Sequence, residues 1–146
     1  MQTVHVQKVI DVPVEQGFAA WTEAEHLSHW FTEQTEVEAR IGGTYRNSDG
    51  DRGEFLVVRP NAHLRFTWEN PTHSPGTIVD IEFRKVNDMQ HIVHLAHSQL
   101  RSEADADGME TGWRWALTSL QSYLETGKAI TYEEWEREAT NRRISA

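Results

Sequence analysis

Three histidines, His91, His94 and His97, are spaced in a way that suggests a metal-binding group. The residues around them alternate between apolar and polar, which predicts a β-strand whose successive side chains point to opposite faces. His94 then faces away from the other two, and His91 and His97 lie about 20 Å apart at about 3.3 Å per residue. Zinc holds each ligand at about 2 Å, so these residues do not share an ion, and no metal or cofactor is predicted.

His97 is the strongest single candidate for chemistry, because its strand parity directs it toward the interior. A buried imidazole forms a structural hydrogen bond, anchors the polar end of a ligand, or acts as an acid or base. Lys8 and Tyr45 are its candidate partners, although a β-bulge would turn Lys8 outward and Tyr45 fits cross-strand packing equally well. Ser98 points to the face opposite His97, so the two do not form a nucleophile–base pair.

Six tryptophans among 146 residues are the other distinctive set. Aromatic side chains make apolar walls for ligand cavities, and they also make ordinary core. We expect Trp30, Trp68 and Trp113 to border a cavity and Trp21 to belong to the core. Trp115 lies about 200° around its helix from Trp113 at 100° per residue, so either the C-terminal tail covers it or a second copy of the chain does.

The elements that position these residues follow a simple order. Val4–Val12 is predicted as a strand, and the helices Val14–Thr22 and Ala24–Trp30 follow Pro13. Turn signals then separate a run of strands, with a glycine pair at 42–43 and a loop at 70–76. The predicted strands of that run include Thr35–Arg40, Glu54–Arg59, His63–Glu69, Thr77–Val86 and Met89–Ser98. The last elements are a long helix, Asp107–Thr126, and a short tail helix, Tyr132–Asn141.

This order predicts an α+β fold. The connections between strands are short, so the sheet of about six to seven strands is antiparallel, and the first strand can pair with the last. Such a sheet must curl, and the long helix must place its apolar stripe, from Met109 to Leu124, on the concave face. Gly112 on that helix predicts a close approach of the helix to the sheet. The two short helices close one end.

Composition excludes several classes of function. The formal net charge of −9 argues against nucleic acid and against an anionic membrane surface, since both require basic patches. The chain has no cysteine, which rules out disulfides and thiolate chemistry. No apolar run approaches about 18 residues, and no signal peptide is recognisable at the N-terminus, so a cytoplasmic protein is expected.

In this order the elements carry motifs that resemble the START-like (SRPBCC) superfamily with the helix-grip fold. Within it, the chain is similar to bacterial single-domain proteins homologous to the C-terminal domain of the activator of the heat-shock-protein-90 ATPase. The resemblance covers residues 4 to 127, and no single piece of it is specific alone. The matching residues are Val12-Pro13-Val14, Phe18, Ala20-Trp21-Thr22, Leu27, Trp30-Phe31, Ile41-Gly42-Gly43, Tyr45, Gly53, Phe55, Pro60, Leu64, Phe66-Thr67-Trp68, Leu95, His97-Ser98, Gly112-Trp113, Leu117 and Leu120.

The resemblance implies a domain at residues 1–127, followed by a tail at 128–146. It also implies a cavity between the curved sheet and the long helix that holds a small hydrophobic or amphipathic molecule. The residues expected to line that cavity are Trp30, Phe31, Tyr45, Phe55, Phe66, Trp68, Phe83, Leu95, His97, Trp113 and Leu117.

Three functions are therefore compatible with the sequence. The first is binding of a small hydrophobic ligand of unknown identity, without catalysis. The second is a polyketide-cyclase-like or hydrolase-like enzyme that uses His97. The third is a co-chaperone-like module acting on a heat-shock-protein-90-type ATPase, although the chain lacks the additional N-terminal domain of the eukaryotic activator. A homodimer is compatible with each of them.

Overall fold

The structure is a computed structural model that describes residues 1–32, 34–70 and 76–145. The predicted loop at 70–76 lies outside the described residues except for Asn70 and Gly76. The elements in chain order are β1 Gln2–Ile10, α1 Val14–Thr22, α2 Ala24–Trp30, β2 Thr35–Val37, β3 Thr44–Asn47, β4 Arg52–Arg59, β5 His63–Trp68, β6 Thr77–Asn87, β7 Gln90–Leu100, α3 Glu103–Thr126 and α4 Tyr132–Ser145.

The strands form one seven-stranded antiparallel sheet in the order β1-β7-β6-β5-β4-β3-β2. The predicted pairing of the first strand with the last is confirmed, since Val6 lies opposite Leu95. The predicted strand Thr35–Arg40 is shorter than expected and ends at Val37. Beyond it the chain turns at Gly42, whose φ of 83° lies in the region that favours glycine.

Helix α3 lies along the concave side of the sheet with Trp113, Leu117 and Leu120 buried. It begins at Glu103, four residues before the predicted start at Asp107. The first turn is acidic and lacks an apolar period, which hid it from pattern analysis. The side chain of Ser102 nevertheless caps it, because its Oγ accepts a hydrogen bond from the Asp105 N–H at 3.1 Å.

One continuous core fills the space between α3, the two short helices and the concave face of the sheet. Burial alternates along β5, where Leu64, Phe66 and Trp68 are buried and the intervening residues are half-buried. Helix α1 approaches β7 so closely that a Cβ added to Gly17 would lie 2.2 Å from Nε2 of His91. Among the described residues, no helix is long and apolar enough to cross a bilayer.

Candidate functional site

A small chamber, with a volume of about 30 Å³, lies between the two short helices and the strands β2 to β5. A cavity needs roughly 10–15 Å³ to hold one water molecule, whereas pockets for drug-sized ligands measure roughly 300 Å³ or more. The chamber is therefore large enough for water but not for such a ligand. Five of the residues predicted to line a cavity surround this chamber. Their side chains fill most of the space that the predicted cavity would have occupied. Its walls are Trp21, Leu27, Phe31, Thr35, Val37, Tyr45, Asn47, Phe55, Phe66 and Trp68.

Aromatic rings occupy most of the remaining interior. The rings of Phe31 and Trp113 stack with centroids 5.8 Å apart, and Trp68 meets Trp113 edge to face at 5.1 Å. Tyr45 contacts Phe66 in the same edge-to-face manner at 5.2 Å. These separations are the ones that aromatic pairs prefer. Much of the aromatic content therefore serves as core, as the alternative interpretation of the tryptophans allowed.

A larger recess opens where the N-terminal half of α3 faces the turn between β3 and β4. We call it the mouth recess, and its volume is about 240 Å³. It shares Phe31 and Trp68 with the inner chamber, so the two spaces are neighbours. Its walls are Phe31, Asp49, Asp51, Trp68, Asn70, Gly108, Met109, Gly112, Trp113 and Trp115.

Two glycines form the helix side of the mouth recess. Gly108 and Gly112 are one turn apart on α3, and a Cβ added to either would meet no atom within 4 Å. The predicted role of Gly112 in a close helix–sheet approach is therefore wrong. Glycine in a helix interior costs about 0.5–1 kcal/mol relative to alanine, and here the missing side chains leave the recess open.

Two indole N–H groups beside these spaces have no hydrogen-bond acceptor among the described residues. They are Nε1 of Trp21 and Nε1 of Trp68, and both atoms are buried. Trp21 lines the inner chamber, and Trp68 lines both the chamber and the mouth recess. Unsatisfied buried donors are uncommon in native proteins, so an acceptor from outside the chain would be stabilised here.

A buried carboxylate forms the opposite wall of the mouth recess. Asp51 is only 6% exposed. Its Oδ1 accepts a hydrogen bond from the side-chain amide of Asn70 at 2.9 Å, and its Oδ2 accepts one from the amide of Asn47 at 3.2 Å. Both partners are neutral. No lysine, arginine or histidine within the described ranges forms an ion pair with Asp51.

The hydroxyl of Tyr45 lies on the sheet side of this region and donates to the Thr67 carbonyl at 3.1 Å. Burial raises the pKa of the Tyr45 phenol far above its ordinary value, and the negative charges of Asp51 and Glu69 raise it further. Tyr45 therefore remains protonated across the physiological range and is not a base.

His97 is fully buried between protein partners. The Trp113 indole N–H donates to its Nδ1 at 2.9 Å, and its Nε2 lies 2.8 Å from Oγ1 of Thr77. An indole only donates, so Nδ1 is the acceptor and the proton of the neutral ring is on Nε2. The Thr77 hydroxyl in turn donates to the Trp68 carbonyl at 2.8 Å. Both ring nitrogens are thus engaged by the fold.

The remaining predicted cavity residues are distributed over the core. Phe83 and Leu95 are buried and line neither the inner chamber nor the mouth recess. Trp30 is also buried, and its indole donates to the Ala20 carbonyl at 2.9 Å. It lines a separate recess between α2, α3 and the segment that follows α3. Leu117 is buried as well, and it lines a recess of about 400 Å³ between β1 and α3.

Lys8 turns inward along β1, as its parity suggested, and reaches the edge of the sheet. Its Nζ lies 3.4 Å from Oγ1 of Thr118, at the rim between β1 and α3. Lys8 is therefore distant in the fold from His97, which contacts α3 near Trp113. Within residues 1–32, 34–70 and 76–145, no three histidine, aspartate or glutamate side chains could hold one metal ion.

The chain following α3 covers Trp115. Its indole N–H donates to the Ile130 carbonyl at 2.8 Å, and Tyr132 meets its ring edge to face at 6.0 Å. A recess of about 260 Å³ remains between this segment, α2 and α3. Because the tail packs on Trp115, that residue gives no independent reason to expect a dimer.

A profile of the activator of Hsp90 ATPase homolog 1-like proteins matches residues 11–125 of the chain. The chain belongs to this family. No curated protein matches it significantly. The resemblance seen in the sequence is thereby confirmed at the level of the family, and the match ends just before the segment that covers Trp115.

Solved structures confirm the helix-grip architecture of this family member. The Aha1 dimer from Colwellia psychrerythraea is 24% identical, with a TM-score of 0.78 over 88% of this chain and 100% of that one. CalU16 from Micromonospora echinospora is 22% identical, with a TM-score of 0.76 over 86% and 77%. An HSP90 activator from Plasmodium falciparum is 20% identical, with a TM-score of 0.74 over 84% and 94%.

Sequence reasoning missed the polar wall of the mouth recess. The segment 48–53 has the composition of a hairpin turn, and this composition concealed Asp51. The signal that could have found it is parity, because Asp51 is two residues before Gly53 and four before Phe55, which faces inward. Asn70 carried the same signal, because it lies two residues after Trp68, which faces inward. Gly108 carried no comparable signal.

Proposed function

We propose that this family member binds a small amphipathic molecule in the mouth recess, with one part of the molecule directed toward the inner chamber. The observation that supports this proposal is the recess itself, a space of about 240 Å³ with aromatic walls and a helix side formed by glycine. Ligand sites are typically apolar concavities with a few placed polar groups.

The polar groups present suit an amphipathic ligand better than a purely apolar one. Trp68 supplies an unpartnered indole N–H between the two spaces, and Asp51 and Asn70 supply polar atoms on the outer wall. A purely apolar molecule would leave the buried Trp68 N–H unsatisfied, which costs about 1–3 kcal/mol. The ligand is therefore expected to carry an acceptor at its inner end.

The proposal can be tested by filling the recess from the helix side. In the Gly112→Leu variant the new side chain enters space in which an added Cβ meets nothing within 4 Å. Thr111→Leu is the matched control, because Thr111 is the exposed neighbour on the same helix. Native mass spectrometry of protein purified from cells would detect a bound small molecule, and two-dimensional NMR would follow the indole N–H signals as the extracted molecule is added back.

We expect the wild type and Thr111→Leu to retain a small molecule and Gly112→Leu to lose it. Gly112→Leu should unfold at no lower a urea concentration than the wild type, since leucine favours the helix relative to glycine, so loss of the molecule would not result from unfolding. Equal retention by Gly112→Leu would show that the molecule binds elsewhere. If neither native mass spectrometry nor a fragment screen by NMR detects a ligand for the wild type, the proposal fails.

The geometry does not favour the enzyme alternative. A cyclase-like or hydrolase-like reaction was expected to use His97, but both of its nitrogens are engaged by Trp113 and Thr77. Acid–base catalysis requires a group within hydrogen-bond reach of the substrate. The two candidate partners, Lys8 at the distant rim and the protonated Tyr45, do not supply one.

A second candidate function is action on a heat-shock-protein-90-type ATPase. It is supported by the description of the matching family and by the Plasmodium falciparum neighbour described as an HSP90 activator. Addition of the purified protein to a bacterial ATPase of this type should then raise its steady-state rate of ATP hydrolysis. An unchanged rate at saturating concentrations would exclude this function.

A homodimer is also proposed, in analogy to the neighbour from Colwellia psychrerythraea described as a dimer. Light scattering coupled to gel filtration would distinguish a dimer from a monomer of 16.8 kDa. A cytoplasmic location is proposed as well, and fractionation of cells that produce the tagged protein would test it.

A further inference from the structure

The charge of the mouth recess points to the class of its ligand. We propose that the recess selects a small organic ammonium ion, in which an apolar body packs on the aromatic wall and an N–H group binds the carboxylate of Asp51. This inference rests on the proposed function, because it concerns the same recess. It adds the sign of the ligand's charge and names the residue that binds the charged group.

Asp51 is the central observation. A carboxylate that is 94% buried is normally paired with a cation, because transfer of an isolated charge out of water is costly. In the described part of the chain, Asp51 bonds instead to the neutral amides of Asn70 and Asn47. Each carboxylate oxygen has two acceptor sites, so one amide at each oxygen leaves acceptor capacity for a ligand N–H.

The aromatic wall favours the same charge. Phe31, Trp68, Trp113 and Trp115 all line the recess. The face of an aromatic ring carries partial negative charge and attracts an ammonium group within about 6 Å of its centre, most strongly for tryptophan. Because the rings contact one another, they form a continuous wall on one side of the ligand and do not enclose the cation on all sides.

The surroundings increase the negative potential. Asp49 lines the recess beside Asp51. The first two turns of α3, which supplies the opposite wall, carry the carboxylates of Glu103, Asp105, Asp107 and Glu110. The single cation in this half of the helix, Arg114, lies 3.5 Å from Glu110. A cleft lined by charges of one sign concentrates the field and raises the local concentration of the oppositely charged ligand.

An anionic ligand is disfavoured by the same features. A carboxylate or phosphate in the recess would face Asp51, and none of the described residues that line the recess is a lysine or an arginine. Like charges in contact repel, and a buried anion needs charged or multiple donors. The unpartnered indole N–H of Trp68 fits a neutral acceptor, such as an ether or carbonyl oxygen on the body of the ligand.

Three probes of nearly equal shape test the sign of the charge directly. They are 2-phenylethylamine, which is a cation at neutral pH, the neutral 2-phenylethanol, and the anion phenylacetate. Titration of each into the wild type, followed by NMR of the tryptophan indole N–H signals, gives three dissociation constants. We expect the amine to bind about tenfold more tightly than the alcohol, and phenylacetate to bind more weakly than both.

Substitution of Asp51 by asparagine tests whether this residue is responsible for the preference for a cationic ligand. Asp51→Asn should reduce the affinity for the amine to that for the alcohol and leave the alcohol unchanged. Asp88→Asn is the matched control, because it removes the same formal charge from an exposed turn far along the chain. It should change none of the three constants. Circular dichroism and urea unfolding would establish that both variants fold.

Each outcome decides the inference. Equal affinity of the wild type for amine and alcohol, or a preference for phenylacetate, would overturn it and leave the proposed small-molecule function intact. Absence of binding by all three probes at millimolar concentration would also overturn it, whereas the proposed function would still be judged by native mass spectrometry and Gly112→Leu. Since the comparison of probes is made on the wild type, the inference remains testable even if Asp51→Asn does not fold.

Discussion

Substitution of Gly17 by alanine tests how tightly the short helices close the end of the sheet. Gly17 is an interior residue of α1, and its missing side chain faces the fully buried ring of His91. An added Cβ would lie 2.2 Å from Nε2 and 2.6 Å from Cε1 of that ring. The ring is fixed on its other side, because Nδ1 donates to the Val12 carbonyl at 2.8 Å.

The expected change in stability is the balance of three terms. Alanine in place of glycine stabilises a helix interior by about 1 kcal/mol. Displacing a packed ring costs about 1–3 kcal/mol, and losing the hydrogen bond to Val12 costs about 1 kcal/mol more. Gly17→Ala should therefore lower the free energy of unfolding by about 1–3 kcal/mol.

A double-mutant cycle with His91→Ala separates these terms. With the ring removed, the added methyl group has space, so Gly17→Ala should stabilise the His91→Ala background by up to about 1 kcal/mol. The coupling energy is then about 2–4 kcal/mol. Gly112→Ala is the control for helix propensity, because its Cβ would meet nothing within 4 Å. It should stabilise the protein by about 0.5–1 kcal/mol.

Urea unfolding followed by tryptophan fluorescence would measure all five proteins. At a typical slope of about 1–3 kcal/mol per molar urea, the expected differences shift the midpoint measurably. If Gly17→Ala stabilises the wild type as Gly112→Ala does, the added methyl group does not collide with His91. An effect of Gly17→Ala that has the same sign and size in both backgrounds would contradict the collision equally.

Two further predictions concern the buried polar groups. Unfolded tyrosine ionises near pH 10, whereas the pKa of folded Tyr45 is raised, so above pH 10 the unfolded state loses a proton that the folded state keeps. Wild-type stability should therefore fall relative to Tyr45→Phe by about 1.4 kcal/mol per pH unit above pH 10, with a constant difference below it; a difference that does not vary up to pH 11.5 contradicts this. Thr77→Val removes the hydroxyl that joins His97 to the Trp68 carbonyl and should cost about 1–3 kcal/mol in urea unfolding; a loss below about 0.5 kcal/mol, as at ordinary surface sites, would show that this chain of hydrogen bonds contributes little.

Much of the fold could be predicted because local patterns and overall packing agree. Three local patterns each predict one structure. Proline after the first strand predicts the start of a helix, alternation predicts the strands β5 to β7, and the apolar stripe predicts that α3 packs on the sheet. The bounds Val14–Thr22 and Ala24–Trp30 were predicted to the residue, and the seven-stranded sheet lies within the expected range. The start of α3 was predicted four residues too late, because a capped acidic turn has no apolar period. Only the Ser102 cap marks this turn in the sequence.

The site was less predictable because residue identities do not specify empty space. Phe55 and Phe66 face inward as their parity requires, but parity does not tell whether two facing rings touch. They do touch, with centroids 5.6 Å apart, and similar contacts fill most of the expected cavity. The mouth recess lies at the end of the sheet, where its walls come from four segments distant in sequence.

The glycines show why this limit is physical. Gly17 and Gly112 have the same local signature, a glycine inside an amphipathic helix that costs stability. At Gly17 the hydrogen takes the place of a methyl group that would collide with His91, so the residue serves packing. At Gly112 the methyl group would enter an open recess, so the missing side chain preserves a void. The two glycines differ only in what an added Cβ would meet. Gly17→Ala and Gly112→Ala should therefore change stability in opposite directions. Of the two residues, only Gly112 limits the volume that is open to a ligand.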